Sequence, residues 1–490
     1  MNLKNNFRKF LIRFPTISSP NKKISIKEKI IWTFSILILY FILSNIPIFG
    51  MSSESIDLFE SYRAFFAGST GSIIAIGISP IVTASIILQL LVSSNIIKLN
   101  LSDVKNQTYY QKIQKLLVIL MIIFESLPQL FGYIKPNYNI AYSLGIKINT
   151  VLIIIFLQMF IGGLLILFMD EIISKWGIGS GISIFIVASV SQQLINGIIN
   201  WTIGSDGLSI GLIPKWISLI KNNILFTNDW TYFLLHSGIL SLISTITIFL
   251  FVVYIESIHI DIPLTHNSIK GTKGSYPVKL IYASVLPMIF VRALQANIQI
   301  IGTILSNKGF SILGVFHNSI PINGLMYYLS PINSPYDWLP ILVSNKYLSY
   351  GYLPPSNIKI IIHLIIDAIF LLFGGIFFAL FWIETTGMNS KSIANKIISS
   401  GLQIPGFRRS INAIEKMMDR YIPKVTILGG FLIGFLTLFS SLLGTIGSSG
   451  GTGLLLTVSI IYKLYENIAK EKSIDDINNP IIQSLFESLK

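Results

Sequence analysis

Cysteine is absent from this 490-residue chain, and charged residues are scarce at 12%. The missing cysteine excludes disulfide frameworks, cysteine-ligated zinc or iron–sulfur sites and thiol nucleophiles. The charged share is about half that of an ordinary soluble domain. Hydrophobic residues make up 52% of the chain and its mean hydropathy is +0.70, so too few polar residues remain to cover a water-soluble surface. The composition therefore indicates a membrane protein with many spans.

Ten apolar runs with few charges recur along the chain, each about the 20 residues that a helix needs to cross a bilayer. Lys and Arg number 36 against 22 Asp and Glu, which gives a net charge of +14. About 27 of the cations fall at the termini and in one set of alternate loops, and about 7 in the other set. Since cations concentrate on the cytoplasmic side, we expect an all-α, multi-pass protein of the cell membrane with both termini in the cytoplasm.

The ten spans group into two halves of five, and a cluster of glycines opens the last span of each half. The members of the two clusters are Gly177, Gly179, Gly181, Gly447, Gly450, Gly451 and Gly453. An odd number of spans per half inverts the second half relative to the first, and such repeats place a transport path between the halves. For either cluster alone, close helix packing explains the glycines equally well.

These spans predict five regions. They are a cytoplasmic N-terminus (1–29), a first half with spans 1 to 5 (30–201), an external linker (202–232), a second half with spans 6 to 10 (233–468) and a cytoplasmic C-terminus (469–490). Two long basic cytoplasmic loops, at about 257–279 and 384–424, interrupt the second half. Their cations fit either plain membrane topology or a docking surface for a polyanion such as ribosomal RNA.

The loop between the first two spans carries a short amphipathic stretch that cannot cross the bilayer. Its apolar residues are Ile56, Leu58, Phe59, Tyr62, Phe65 and Phe66. Glycines and Pro80 follow it, which is typical of a re-entrant element at about 55–68. Anchoring at the membrane interface is the alternative interpretation.

Sequence patterns for catalysis are missing. The chain has no phosphate-binding Gly-x-x-x-x-Gly-Lys-Ser/Thr motif and no His-Glu-x-x-His motif, and its five His fall mainly in loops or near span ends. We therefore expect no enzyme activity, no catalytic residue, no cofactor and no metal.

Several segments resemble the SecY family, the channel-forming subunits of the Sec protein translocase. They are AIGISPIVTASIILQLL from Ala75, DEIISKWGIGSGISIFI from Asp170, IPLTHNSIKGTKGSYPVKLIYASVLPMIF from Ile262, ETTGMNSKSIANKI from Glu384, GFRRSINAIEKMMDRYIP from Gly406 and GGTGLLLTVSIIYKLYE from Gly450. The likeness covers nearly the whole chain and is closer to the archaeal and eukaryotic branch. It implies a channel that passes unfolded secretory polypeptides and releases apolar segments sideways into lipid.

The resemblance implies a ring of aliphatic side chains at the waist of an hourglass pore. Matched motif by motif, the ring consists of Ile78, Val82, Ile182, Ile186, Ile289 and Leu456. Branched apolar side chains resist wetting and ion passage without selecting one substrate sequence. The resemblance also makes the re-entrant element at about 55–68 the plug of this pore.

Two further sets of residues follow from the resemblance. A polar cluster at a lateral gate consists of Thr83, Glu125 and Asn297, whose hydrogen bonds favour closure by about a kcal/mol each. The ribosome-docking positions are His266, Lys270, Lys273, Arg408 and Arg409. The tandem arginines are the stronger signal, because planar guanidinium groups suit phosphate.

The family's partners are SecE-type (gamma) and SecG/beta-type small subunits in a heterotrimer, the ribosome, signal sequences, nascent polypeptides and membrane lipids. A secondary transporter of a small solute is the alternative function, since it also uses inverted repeats. Such a carrier should hold several carboxylates at the midplane, where Glu125 is the main candidate. Arg292 and Asp367 depart from the family pattern, and the sequence leaves open whether Arg292 faces the pore, extends to an interface or pairs with Asp367.

Overall fold

The computed structural model of the chain is dominated by ten long helices. It describes residues 16–22, 24–52, 55, 66–69, 71–93, 96–97, 104–132, 134–203, 208–221, 237–266, 273–283, 285–307, 309, 313–317, 320–349, 351–400, 402–403, 410–447 and 450–477. The long helices are α1 (Ile26–Asn45), α2 (Ser79–Ser93), α3 (Val104–Gly132), α4 (Ile148–Trp176), α5 (Gly181–Ile199), α6 (Ile239–Ser257), α7 (Leu286–Asn307), α8 (Asn357–Thr385), α9 (Ile411–Leu443) and α10 (Gly450–Ile477). They correspond one to one to the ten predicted spans.

The long helices are apolar on their outward faces as well as inside. Seven of the described helices have the length and hydropathy of a membrane span, and Ser79–Val92 is a shorter apolar helix. Large side chains such as Phe34, Ile153 and Phe373 are exposed. In water such a surface would be unstable, whereas lipid tails solvate it. The largest apolar cluster of the described interior contains residues from helices of both halves.

Hydroxyl side chains define where several helices begin. Ser25, Ser180 and Ser410 each accept a hydrogen bond from the backbone N–H three residues later, at the starts of α1, α5 and α9. Pro80 occupies the second position of α2, where its missing N–H has no intrahelical partner to lose. Gly179 and Gly447, one from each glycine cluster, lie just before α5 and α10 with positive φ angles of 75° and 71°, whereas Gly181, Gly450, Gly451 and Gly453 lie in the first turns of these helices.

One end of the bundle carries strands and many cations, and we call it the basic face. Here β1 (His259–His266) pairs antiparallel with β2 (Lys273–Lys279) between α6 and α7. A two-residue strand, Leu402–Gln403, adds to the outer edge of β1. A second apolar cluster, including Ile262, Val278 and Met418, fixes this sheet against α9. The sequence predicted this region only as a long basic loop.

The opposite face is covered by shorter elements. They are the helices Tyr138–Ser143, Leu212–Lys221, Leu325–Tyr328 and Pro340–Ser349, the 3₁₀ turn Pro335–Asp337 and a pair of two-residue strands, Phe316–His317 and Ile320–Pro321. The Trp338 indole N–H donates to the backbone oxygen of Leu442 at 3.0 Å. The cap between α7 and α8 is therefore attached to the far end of α9.

Candidate pore and lateral gate

The six predicted ring residues share one buried apolar core. Ile78, Val82, Ile186, Ile289 and Leu456 are each 2% exposed or less, and Ile182 is half-buried and packs against the same cluster. They come from α5, α7, α10 and the start of α2. None of these side chains has a polar atom, so a waist built from them offers no hydrogen bonds to water or ions.

The start of α2 sets the direction of its two ring residues. The backbone N–H of Val82 donates to the oxygen of Ile78 at 3.1 Å, so the two side chains lie one helical turn apart on one face. The N–H of Ile78 is outside the helix and donates to the oxygen of Phe66 at 2.7 Å. The backbone just before α2 is therefore hydrogen-bonded to the end of the predicted plug element.

Contacts with Asp170 of α4 fix the start of α5. Asp170 Oδ1 accepts a hydrogen bond from the N–H of Ile182 at 3.0 Å. An added Cβ at Gly181 would lie 2.5 Å from the Cα of Asp170, so only glycine permits this approach. Because this turn is tightly held, the ring residues Ile182 and Ile186 are positioned by α4.

The gate cluster is partly assembled. Thr83 Oγ1 donates to Glu125 Oε1 at 2.7 Å, with both side chains buried, and so joins α2 to α3 within the first half. Asn297, half-buried on α7, makes no hydrogen bond to either residue among those the structure describes. Contact between the halves at this point is apolar, with Val82 and Ile289 in one cluster.

Arg292 is buried in a polar network rather than facing lipid or an interface. It is 1% exposed. Its guanidinium donates to Gln295 Oε1 at 2.8 Å, to Thr452 Oγ1 at 3.2 Å and to Ser441 Oγ at 3.2 Å. Asp367 Oδ1 lies 3.9 Å from Arg292 Nη1 and accepts from Gln295 Nε2 at 3.0 Å. The network therefore joins α7 to α8, α9 and α10.

Two members of this network each lie one helical turn from a predicted ring residue. Arg292 follows Ile289 by one helical turn on α7, and Thr452 precedes Leu456 by one turn on α10. Sequence reasoning singled out Arg292 and Asp367 but missed Gln295, Ser441 and Thr452. Small hydroxyl residues in apolar helices give no signal of which neighbour they bond, because many bond their own helix backbone instead.

Most plug and docking positions lie where the structure gives no side-chain description. Phe66 is buried against the central cluster, and His266 and Lys273 are placed, by backbone only, at the facing ends of β1 and β2. The remaining predicted positions lie outside the described residues: Ile56, Leu58, Phe59, Tyr62, Phe65, Lys270, Arg408 and Arg409.

Two family models match the chain, SecY over residues 72–465 and the plug domain of Sec61p over residues 38–71. Its relatives include the protein translocase subunit SecY of Archaeoglobus fulgidus, 51% identical over 466 residues that cover 94% of each chain. That of Haloferax volcanii is 46% identical and covers 98% of each. A solved protein-conducting channel is similar with a TM-score of 0.76 at 36% identity, over 94% of this chain and 96% of that one. Sec61 in the canine ribosome–channel complex gives a TM-score of 0.73 at 36% identity with the same coverage.

Proposed function

The chain belongs to the SecY family of protein translocase subunits, and we propose that unfolded secretory polypeptides pass through its aliphatic waist while apolar segments leave sideways into lipid. The observation that carries this proposal is that five aliphatic side chains from the start of α2, α5, α7 and α10 are buried in one core, with the half-buried Ile182 packed against it. A ring without polar atoms can seal around any extended chain, because it requires no particular sequence of the chain inside it.

Sideways release requires the halves to part between α2 and α3 on one side and α7 and α8 on the other. The Thr83–Glu125 bond lies within the first half, so this movement leaves it intact. What the halves lose is apolar contact, and an entering segment with about 10 apolar residues replaces that contact with its own. We propose that apolarity is therefore the property by which the gate selects its substrates.

A secondary transporter of a small solute is disfavoured by the same residues. The waist offers a solute no donors or acceptors. The buried carboxylates of Glu125 and Asp367 lie in different halves of the bundle, and each is hydrogen-bonded through one oxygen, to Thr83 and to Gln295 respectively. Coupled carriers instead present groups at the midplane that bind ions and substrate.

A photo-crosslinker on α5 tests the proposal. Placed at Ile186, which is fully buried at the waist, it should form adducts with a stalled secretory chain. Placed at Ile195, which is 57% exposed on the same helix, the same probe should react with lipid and leave the stalled chain unmodified. Equal adduct yields at the two positions, or adducts at Ile195 alone, would contradict the pore assignment.

We propose that the basic face is cytoplasmic, with both termini on that side of the cell membrane. The start of α1 and the end of α10 meet there, since Lys29 Nζ lies 2.6 Å from Glu471 Oε1. The concentration of cations supports this orientation. We further propose that the chain assembles with SecE-type (gamma) and SecG/beta-type subunits. We also propose that the channel is passive and without catalysis, because the sequence lacks a phosphate-binding motif with which it could drive transport itself.

The ribosome is the proposed partner of the basic face. Replacing Arg408 and Arg409 with Glu should weaken ribosome binding several-fold, and increasingly as salt is lowered, because two cations facing phosphate become anions. Sedimentation of the purified complex with ribosomes at several salt concentrations measures this effect. The matched control replaces Lys391 and Lys396 with Glu and should bind ribosomes nearly as the parent does. These two exposed cations lie on the helix Ser390–Ser399, in the same segment between α8 and α9. Equal losses in both variants would mean that only net charge matters.

A further inference from the structure

The carboxylate of Glu171, near the end of α4, binds a lysine with each of its oxygens. Oε2 lies 2.6 Å from Lys115 Nζ on α3, and Oε1 lies 2.9 Å from Lys175 Nζ one turn further along α4. The side chains of Lys115 and Glu171 are only 9% and 16% exposed. Because little water reaches this pair, salt screens it much less than a surface pair, and the loss of one partner leaves the other poorly solvated.

The end of α4 also binds the chain segment that precedes α1. The backbone N–H of Ile17 donates to Glu171 Oε1 at 3.2 Å, and Lys175 Nζ donates to the backbone oxygen of Ile17. The indole N–H of Trp176 donates to the backbone oxygen of Ser18 at 2.9 Å. Three side chains of α4 therefore hold main-chain groups of residues 17 and 18, which we call the N-terminal strap.

The start of α1 is attached to the end of α4 as well. The backbone N–H of Ile178 donates to Thr33 Oγ1 at 3.1 Å, and the ring centroids of Trp32 and Trp176 lie 5.6 Å apart. The end of α4 is thus bound by α3, by the N-terminal strap and by α1. Glu171 contributes to the first two of these attachments.

Asp170, the residue before Glu171, connects the end of α4 to the waist. Its Oδ1 accepts from the backbone N–H of Ile182 at 3.0 Å. Successive residues of an α-helix point about 100° apart, so Asp170 binds α5 while Glu171 binds α3 and the N-terminal strap. A hydrogen bond weakens steeply when its angle changes. The Asp170–Ile182 bond therefore depends on the end of α4 staying in place.

We propose that Glu171 is a positioning residue of the channel: it holds the end of α4 against α3 and the N-terminal strap, so that Asp170 keeps Ile182 and Ile186 at the waist. This inference rests on the proposed channel function. Glu171 acts through Asp170 and not on the translocating chain itself. Without its bonds the end of α4 shifts, the first turn of α5 loses its fixed partner, and the seal at the waist loosens.

Glu171→Gln tests this proposal, because it keeps the shape of the side chain and replaces one acceptor oxygen with a donor NH₂ group. Proteoliposomes that contain the idle channel complex should leak ions about tenfold faster than those with the parent, the factor that one hydrogen bond to a charged group supports. The matched control is Glu471→Gln, which removes a second ion pair of the basic face, that with Lys29 Nζ at 2.6 Å. It should leak as the parent does, and equal leaks in the two variants would overturn the proposal.

A double variant shows whether Glu171 acts through Asp170. Asp170→Ala removes the acceptor of the Ile182 N–H and should leak to a similar extent as Glu171→Gln. The two changes combined should add little, because both release the same turn of α5. Additive leaks would overturn the proposal.

A thiol at position 182 localises the effect. Since the chain has no cysteine, Ile182→Cys introduces a single thiol, and its alkylation should be several-fold faster when Glu171→Gln is added. A loss of stability without displacement of α5 leaves this rate unchanged. An unchanged alkylation rate would therefore show that Glu171 stabilises the fold without positioning the waist.

Glu171→Asp decides the question if Glu171→Gln does not fold. It keeps a counter-ion for Lys115, but its side chain is one methylene shorter and cannot reach α3 and the N-terminal strap together. The idle channel should then leak several-fold faster than the parent. A parental leak in folded Glu171→Asp would contradict the positioning role.

A ring variant separates failure of this inference from failure of the channel function. Ile186→Asn places a polar group in the waist and should leak whether or not Glu171 holds α4. If Ile186→Asn leaks and Glu171→Gln does not, the role of Glu171 is wrong while the pore remains. If Ile186→Asn does not leak, the waist is not the seal and both proposals fail.

Discussion

Asp367→Leu should lower the free energy of unfolding by about 3–5 kcal/mol, because it leaves Arg292 buried without its counter-ion. Arg292 cannot move to water, since it is 1% exposed and surrounded by α7, α8, α9 and α10. Nor can it lose its charge under ordinary conditions. The hydroxyls of Ser441 and Thr452 and the amide of Gln295 remain as acceptors, but they carry no net charge. Equilibrium denaturation of the purified protein in detergent measures the difference.

The double variant Arg292→Met with Asp367→Leu is the control. Removing both charges eliminates the cost of burying them, so most of the lost stability should return. Arg292→Met alone leaves an unpaired carboxylate and should be nearly as harmful as Asp367→Leu. If the double variant is less stable than both single variants, the two charges do not act as a pair.

Gly375→Ala should destabilise the second half by about 1–3 kcal/mol, the usual cost of inserting a methyl group into a filled contact. The ideal Cβ would lie 2.6 Å from the backbone oxygen of Gly430, and backbone cannot turn aside as a side chain does. An added Cβ at Gly434 would likewise lie 2.6 Å from the backbone oxygen of Leu371. Helices α8 and α9 therefore approach backbone to backbone, and an alanine must push them apart. Thermal unfolding in detergent gives the change.

The neighbouring glycine provides a control on the same helix turn. An added Cβ at Gly374 would lie 3.0 Å from both γ carbons of Val291, which is a tight contact but one with a side chain rather than with backbone. Alanine also favours the helix over glycine by about 1 kcal/mol. Gly374→Ala should therefore cost less stability than Gly375→Ala. Similar losses of stability in Gly374→Ala and Gly375→Ala would show that these glycines are required for a reason other than the close approach of α8 to α9.

The ten helices follow from the sequence because each apolar run is long enough to satisfy its own backbone in lipid. The glycine clusters were interpreted as marks of a repeat or of close helix packing, and the structure additionally places Gly179 and Gly447 in turns just before α5 and α10. Periodicity could not identify the waist, since aliphatic residues such as Ile182 and Ile186 are spaced as in any packed membrane helix. Those assignments depended on resemblance to a family, and their role in the pore stays a prediction.

Other features depend on contacts between distant parts of the chain. The strands β1 and β2 lie in a polar basic stretch whose composition gave no sign of pairing. The partners of Arg292 come from α9 and α10, about 150 residues further along. Asn297 shows the opposite case, because a residue type suited to the gate cluster is present while the hydrogen bond to Thr83 or Glu125 is not formed. Composition identifies which groups need partners, and only the fold determines which partners they find.

The last residue of β2 connects the sheet of the basic face to α10. Lys279 Nζ lies 2.6 Å from Glu466 Oε2 and 5.1 Å from the ring centre of Tyr462. Glu466 is ten residues beyond Leu456 on the same helix, a distance of about 15 Å along its axis. The sheet of the basic face is therefore joined by an ion pair to the helix that carries Leu456, and no loop lies between Glu466 and Leu456.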